Sequence, residues 1–307
     1  MNDKMMDLLG KSIVHDVYLI AEKIMSIIPD KAYLKMIYRL RMGKKLNVEN
    51  PVTMNEKLQW MKLYYHNPEC SKIVDKYDGK QYAKSIIDDK YVIDSLGVYD
   101  SYDEIDFDKL PDQFVLKCTH DSGSIYVCTD KSKINHKELK KKFTKSLKRN
   151  YYLGNREWAY KNASRRIIAE PYIDSLGKPN SIEYKVTCFN GKVAFITICQ
   201  GKAHDKLCLR KNDFFTKDFE FIPVENYYRN SEKPLERQKP VFWDELIELS
   251  EKLTEGFPHL RADWYVVDDQ LIFGELTFYT WGGYIRWDPE EWDKKFGDMM
   301  ELPEKWD

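Results

Sequence analysis

The chain has 307 residues, 49 Lys plus Arg against 50 Asp plus Glu, and a net charge of -1, so no global field draws it to nucleic acid. Hydrophobic residues at 43% and charged residues at 32% fit a globular protein with one large core or two to three smaller lobes. No run reaches the ~18 apolar residues of a spanning helix, and the six cysteines (Cys70, Cys118, Cys128, Cys188, Cys199, Cys208) form no CxxC pair, which reads as reduced core thiols.

Asp3, Asp7 and Asp16 interrupt the first residues, which therefore do not read as a signal peptide, and the expected location is cytoplasmic. Met6, Leu9, Ile13, Val17, Ile20, Ile24 and Ile27 recur every three or four residues and predict an amphipathic helix over 5–28, stopped by Pro29. It packs on the body or, because its polar face is mixed in sign, less readily on a membrane surface. A second helix is expected over 30–43. Thr53 and Glu56 form a capping box before a third. Lys76 to Ile87 reads as a helix, YVIDSLGVYD as a short strand and turn, and Phe114 to Cys118 as a buried strand after Pro111. His120 to Ser124 is a polar, glycine-containing turn into a second strand, Ile125 to Cys128. From Lys131 to Arg149 nine Lys or Arg meet one Glu at helical spacing, which predicts a solvated basic helix. RRIIAEPYI is a strand ending at Pro171, and Asn190-Gly191 turns a hairpin. Residues 200–240 read as a long loop with short strands, and Phe242 to Phe257 as an amphipathic helix. RADWYVVDDQLIFGELTFYTWGG, from Arg261 to Gly283, is a further hairpin with Asp268-Asp269 at its turn.

Three stretches carry chemistry. In FVLKCTHDSGS, a lysine at the end of a buried strand is costly unless it meets an anion, and a Ser-Gly-Ser turn is able to aim backbone N–H groups at phosphate. The same residues also suit a surface hairpin. IIAEPYI resembles a hinge whose backbone could meet a purine edge, or else an edge strand with a proline exit. Asp263 and Glu275 stand on opposite arms of the last hairpin, where two carboxylates on stiff strands suit a hard cation such as Mg²⁺. An ordinary hairpin with its polar face in water is the alternative.

The order of these segments, with PVTMNEKLQWMKLYY, LPDQFVLKCTHDSGS, EYKVTCFNGK and RADWYVVDDQLIFGELTFYTWGG, resembles the ATP-grasp superfamily. More narrowly it is similar to the TupA-like branch named for teichuronopeptide biosynthesis, over roughly residues 45–290. The resemblance implies an α+β ATP-grasp fold with a helical N-terminal region (1–70), a connecting α/β segment (71–114), a lid subdomain (115–170) and a sheet subdomain with the metal carboxylates (171–307). It implies ATP and Mg²⁺ as cofactors, and ligation of a carboxylate to an amine through an acyl-phosphate, in capsule or surface-polysaccharide synthesis. Lys76 and Lys117 would neutralise the α- and β-phosphates, and His120, Ser122, Gly123 and Ser124 would cover them. Glu170, Pro171, Tyr172 and Ile173 would hold adenine, and Glu183 the ribose. Asp263, Glu275 and Thr277 would hold Mg²⁺, with Arg261 and Lys185 at the transferred phosphoryl group. Thr277 stands where many relatives have Asn, and helices replace the usual α/β N-terminal domain.

Two other readings compete. Asp106-Phe-Asp108 has the DxD form of a metal-dependent glycosyltransferase, although its polar surroundings suit a loop. A nucleotide-binding scaffold without catalysis is the other, and Lys117, Asp263 and Glu275 argue against it. Phe278, Tyr279, Trp281, Tyr284 and Trp287 either bury the C-terminal tail or, at Trp281, stack on an acceptor.

Overall fold

The computed structural model describes residues 26–173, 182–201, 210–267 and 270–306. Most of the helix expected over 5–28, the Asp268-Asp269 turn and Cys208 lie outside the described residues.

Helix α1 (Asp30–Met42) starts after Pro29 and ends where Gly43 adopts φ 73°, a left-handed turn that relieves its last carbonyls. Helix α2 (Met54–Tyr64) opens on the expected capping box: Thr53 Oγ1 accepts from the Glu56 N–H at 3.2 Å, and Glu56 accepts from the Thr53 N–H at 3.2 Å. Asn55 is buried and fixes α2 to the far end of the chain. Its amide donates to the Ile285 carbonyl at 2.8 Å and to Asp293 at 2.9 Å. Helix α3 (Pro68–Ile73), capped by Asn67 with Pro68 in its first turn, is too short for a periodicity signal and is not anticipated by the sequence. Helix α4 (Lys76–Lys84) is capped by Asp75, whose carboxylate accepts from Tyr77 and Asp78 N–H groups, and stops short of the expected Ile87.

Two antiparallel sheets follow. The first has the order β1 (Gly97–Tyr99), β4 (Ile167–Pro171), β2 (Phe114–Cys118), β3 (Ile125–Cys128). The basic segment forms α5 (His136–Lys148), which turns Leu139 and Phe143 onto Phe114, Leu116 and Ile167 of this sheet. Its lysines therefore face outward, as an amphipathic helix on a sheet requires. A single turn, α6 (Tyr152–Asn155), follows.

The second sheet has the order β10 (Gln270–Thr277), β9 (His259–Val267), β5 (Ile182–Phe189), β6 (Lys192–Gln200), β7 (Lys211–Phe215), β8 (Phe221–Ile222). Asn190 and Gly191 both have positive φ and turn β5 into β6, as their identities predict. Alternation splits the sheet into two faces. Tyr184, Val186, Ile196, Ala262 and Trp264 pack in the main core with Leu246, Leu249 and Leu253 of α7 (Trp243–Thr254). Burying each such side chain contributes roughly 1.5–3 kcal/mol. The other face carries Glu183, Lys185, Thr187, Thr197, Arg261 and Asp263 and lines the cavity described next. Helix α8 (Glu291–Asp298) closes the chain against this body through Phe296.

Candidate active site

A cavity of about 630 Å³ lies between the polar face of the second sheet and the β2–β3 loop of the first. Its floor follows from strand register. Asp263 on β9 stands directly opposite Glu275 on β10, Arg261 opposite Thr277, and Lys185 on β5 opposite Asp263. A bulge between Phe273 and Glu275 sets this register; Gly274 sits there because a Cβ would come within 2.9 Å of the Asp263 carbonyl.

The two facing carboxylates differ sharply in their surroundings. Asp263 is 2% exposed and saturated: Arg261 Nε donates to Oδ1 at 2.5 Å, Arg261 Nη2 to Oδ2 at 2.8 Å, and Lys185 Nζ also donates to Oδ2. Burial alone would raise its carboxyl, but Arg261 and Lys185 hold it below the usual carboxylate range. Glu275 is exposed to the cavity and accepts no hydrogen bond from a described residue. Thr277 Oγ1 accepts from Arg261 at 3.1 Å. Glu183 is held by Arg210 at 3.0 Å and lies 3.3 Å from Lys185.

The opposite wall comes from β2 and the loop after it. Lys117 pairs with Glu170 at 2.7 Å, and Lys80 pairs with the other Glu170 oxygen. Burial opposes ionisation of Glu170, yet these two lysines pull its carboxyl down to about 2. Burial likewise lowers Lys117, and Glu170 more than restores it. Lys76, at the start of α4, donates to the Asp121 carbonyl. Ser122, Gly123 (φ 100°) and Ser124 form the lip of the cavity.

Lys76, Lys117, Ser122, Gly123, Ser124, Glu183, Lys185, Arg261, Asp263, Glu275 and Thr277 thus share one cavity. Two expectations are corrected. His120 does not face the cavity: it is 2% exposed, with Nε2 3.2 Å from the Ser146 carbonyl, because the turn tucks the ring under α5. Burial lowers its basicity accordingly. Glu170 is spent on Lys80 and Lys117, while Pro171 and Tyr172 border a separate open depression with Pro111 and Thr129. Neither these three nor Ile173 lines the main cavity.

Other wall residues were not read from the sequence. Asp121 lies in the His120–Ser124 turn, where an acid gives no signal for anion binding; its carboxylate accepts from Ser124 Oγ. Arg210 sits in a stretch without periodicity. Arg41, Asn155 and Glu157 come from elements remote in sequence.

The donor set fits Mg²⁺. That ion takes one or two carboxylates and completes its shell with phosphate and water oxygens, so a protein cage is not needed. Among the described residues no cluster of three or more His, Cys, Asp or Glu has metal-holding geometry. Glu275 offers open oxygens beside the Thr277 hydroxyl. Two further oxygens of cavity-wall residues, Asp121 Oδ1 and Thr187 Oγ1, are buried without a partner and suit a polar occupant.

The TupA-like ATPgrasp family model matches residues 56–301. No curated protein matches the sequence. Among solved structures, D-alanine–D-alanine ligase from Helicobacter pylori shares 14% identity, covers 76% of this chain and 60% of its own, and has a TM-score of 0.42. A RimK-domain ATP-grasp protein from Sphaerobacter thermophilus shares 11%, over 75% of this chain and 69% of its own, with a TM-score of 0.41. D-alanine–D-alanine ligase from Bacillus anthracis, complexed with ATP, shares 17%, over 67% and 55%, with a TM-score of 0.36. The chain spans about three-fifths of the length of the D-alanine–D-alanine ligases it matches.

Proposed function

This chain belongs to the TupA-like ATP-grasp family, and on that premise we propose that it is an ATP- and Mg²⁺-dependent carboxylate–amine ligase of surface-polysaccharide assembly. The observation that carries the reading is the convergence of four cations, Lys76, Lys117, Lys185 and Arg261, with the facing pair Asp263 and Glu275 in one cavity. Phosphoryl transfer needs mainly positioning and charge neutralisation, which such a set supplies.

In this reading Lys76 and Lys117 meet the nucleotide phosphates, and the Ser122–Ser124 turn offers backbone N–H groups to them. Glu170 acts through Lys117 as its positioning carboxylate. Glu275 would hold the cation, with Thr277 beside it and Asp263 facing it across the strand pair. Bound Mg²⁺ would supply charge neutralisation for the phosphates. Arg261, locked by Asp263, presents a fixed positive charge where the phosphoryl group moves. A substrate carboxylate oxygen attacks the γ-phosphorus, giving an acyl-phosphate and ADP. The amine nitrogen then attacks the acyl carbon, releasing phosphate and a proton. A uronic acid joined to an amino acid or amino sugar fits this chemistry.

The test is ADP and phosphate release screened over pairs of uronic acids, amino acids and amino sugars, with nucleotide sugars in parallel. Release that needs both acid and amine supports the ligase. The DxD pair gives a control, since Asp106 sits in a turn, paired with Lys109 at 3.1 Å, and neither aspartate lines the cavity. Asp106→Asn with Asp108→Asn should leave turnover unchanged. Loss of activity in that double variant, with release of UDP or GDP, would favour a glycosyltransferase.

A further inference from the structure

Arg41 lies before the residues that match the family, on α1, yet its side chain lines the same cavity as Lys185, Arg261 and Glu275. Its guanidinium rests over the Tyr284 ring, 4.6 Å from the centroid, and forms no ion pair among the described residues. Lys62 and Glu157 stand nearby, and Glu157 is drawn to both Lys62 and Arg41. Lys62 donates to the Gly282 carbonyl at 2.6 Å, and Glu157, held by Asn155 at 3.1 Å, lies on the same glycine. Arg41 thus brings to this end of the cavity a guanidinium that is held by a ring face and has no ion pair among the described residues, with Lys62, Glu157 and Arg286 as its charged neighbours.

A flat apolar surface lines the same cavity. Of the aromatic residues that follow Glu275, Phe278, Tyr279, Tyr284 and Trp287 are buried, whereas Trp281 is 44% exposed. Its backbone adopts φ 53°, a left-handed conformation unfavourable for a bulky residue, and its ring lies 4.9 Å from Tyr227 and 5.9 Å from Tyr228. The Tyr227 hydroxyl donates to the Tyr284 carbonyl, so one contact chain links the indole to the ring under Arg41. Tyr227 and Tyr228 back the indole and leave part of it open, and an uncommon backbone conformation that holds a half-open ring toward a cavity is a pattern of recognition surfaces.

We propose that Arg41 and Trp281 form a substrate subsite for an oxyanion carried on a sugar ring, the ring stacking on the indole and the carboxylate or phosphate meeting the guanidinium. The inference deepens the ligase reading and rests on it for the meaning of the cavity. It makes Arg41 a specificity-determining residue supplied by the N-terminal helix. An anion held by an arginine fork is favoured over a neutral sugar, and a stacked ring tolerates variation at its hydroxyls.

The experiment is a ligand-observed NMR titration of the protein with D-glucuronate, D-glucose 6-phosphate and neutral D-glucose. Wild type should bind at least one charged sugar about tenfold or more tighter than glucose. Arg41→Met should remove that advantage, Arg41→Lys should keep part of it, and Trp281→Ala should weaken all three sugars while Trp281→Phe retains binding. Melting temperatures and ATP affinity measured on each variant separate loss of the subsite from loss of the fold. The better of the two charged sugars identifies the oxyanion. Equal wild-type affinity for charged and neutral sugars would overturn the proposal, as would unchanged affinity in a folded Arg41→Met variant. Because binding is read without turnover, a failed ligase screen leaves this result interpretable.

Discussion

Asp263 and Glu275 face each other across one strand pair, yet substitution should affect them very differently. Glu275→Gln removes an exposed carboxylate that accepts no hydrogen bond from a described residue, so stability should change by no more than about 1 kcal/mol while Mg²⁺-dependent ATP turnover is lost. Asp263→Asn leaves Arg261 buried without its counter-charge and Lys185 with Glu183 alone, and should cost on the order of 3–5 kcal/mol. Thermal unfolding of both variants checks this, and equal melting temperatures would contradict it. Glu170 gives a pH prediction. Its folded value, about 2, lies below the ordinary 4.5, so the unfolded chain binds the extra proton. The stabilisation is complete above about pH 4.5 and is lost as pH falls toward 2, on the order of 3 kcal/mol in all. Denaturant midpoints from pH 6 to 3 should fall more steeply for wild type than for Glu170→Gln; parallel slopes would contradict this role of Glu170. Most of the cavity's charges were legible as residue types in sequence. Their pairings were not, because the Lys80–Glu170–Lys117 bridge joins a helix to two strands.

At the scale of elements, the β9–β10 hairpin depends on one small residue. A Cβ on Gly274 would meet Tyr265 Cε2 at 2.8 Å and the Asp263 carbonyl at 2.9 Å, so the bulge must shift and carry Glu275 with it. Gly274→Ala should therefore cost about 1–3 kcal/mol and also lower turnover. A variant that loses stability but keeps full turnover would show the bulge to be structural only. The two hairpins, the capping box at Thr53 and the helices with clear apolar stripes were readable because each signal is local. Helix α3 was not, since six residues are too few for a 3.6-residue period. His120 was misplaced for a related reason: a turn sequence names the residues that bend but not which side chain folds inward.

For the whole molecule, the cavity is assembled from both sheets and from α1, and Asn55 joins the N-terminal helices to Ile285 and Asp293. No helix among the described residues is long and apolar enough to cross a membrane. The sequence motifs singled out Lys76, Lys117, the Ser122–Ser124 turn, Asp263 and Glu275, which line the cavity, because each sits in a contiguous stretch. They did not anticipate Arg41, Glu157 or Arg210, which converge only through tertiary packing. In the proposed reaction this cavity transfers the γ-phosphoryl group of ATP to a carboxylate. The most direct measurement incubates the protein with MgATP, a panel of uronic acids and hydroxylamine, which captures an acyl-phosphate without knowledge of the natural amine. ADP and a hydroxamate formed in equal amounts, and absent with Glu275→Gln, are the predicted result. ADP released without hydroxamate, or hydroxamate formed undiminished by Glu275→Gln, would contradict it.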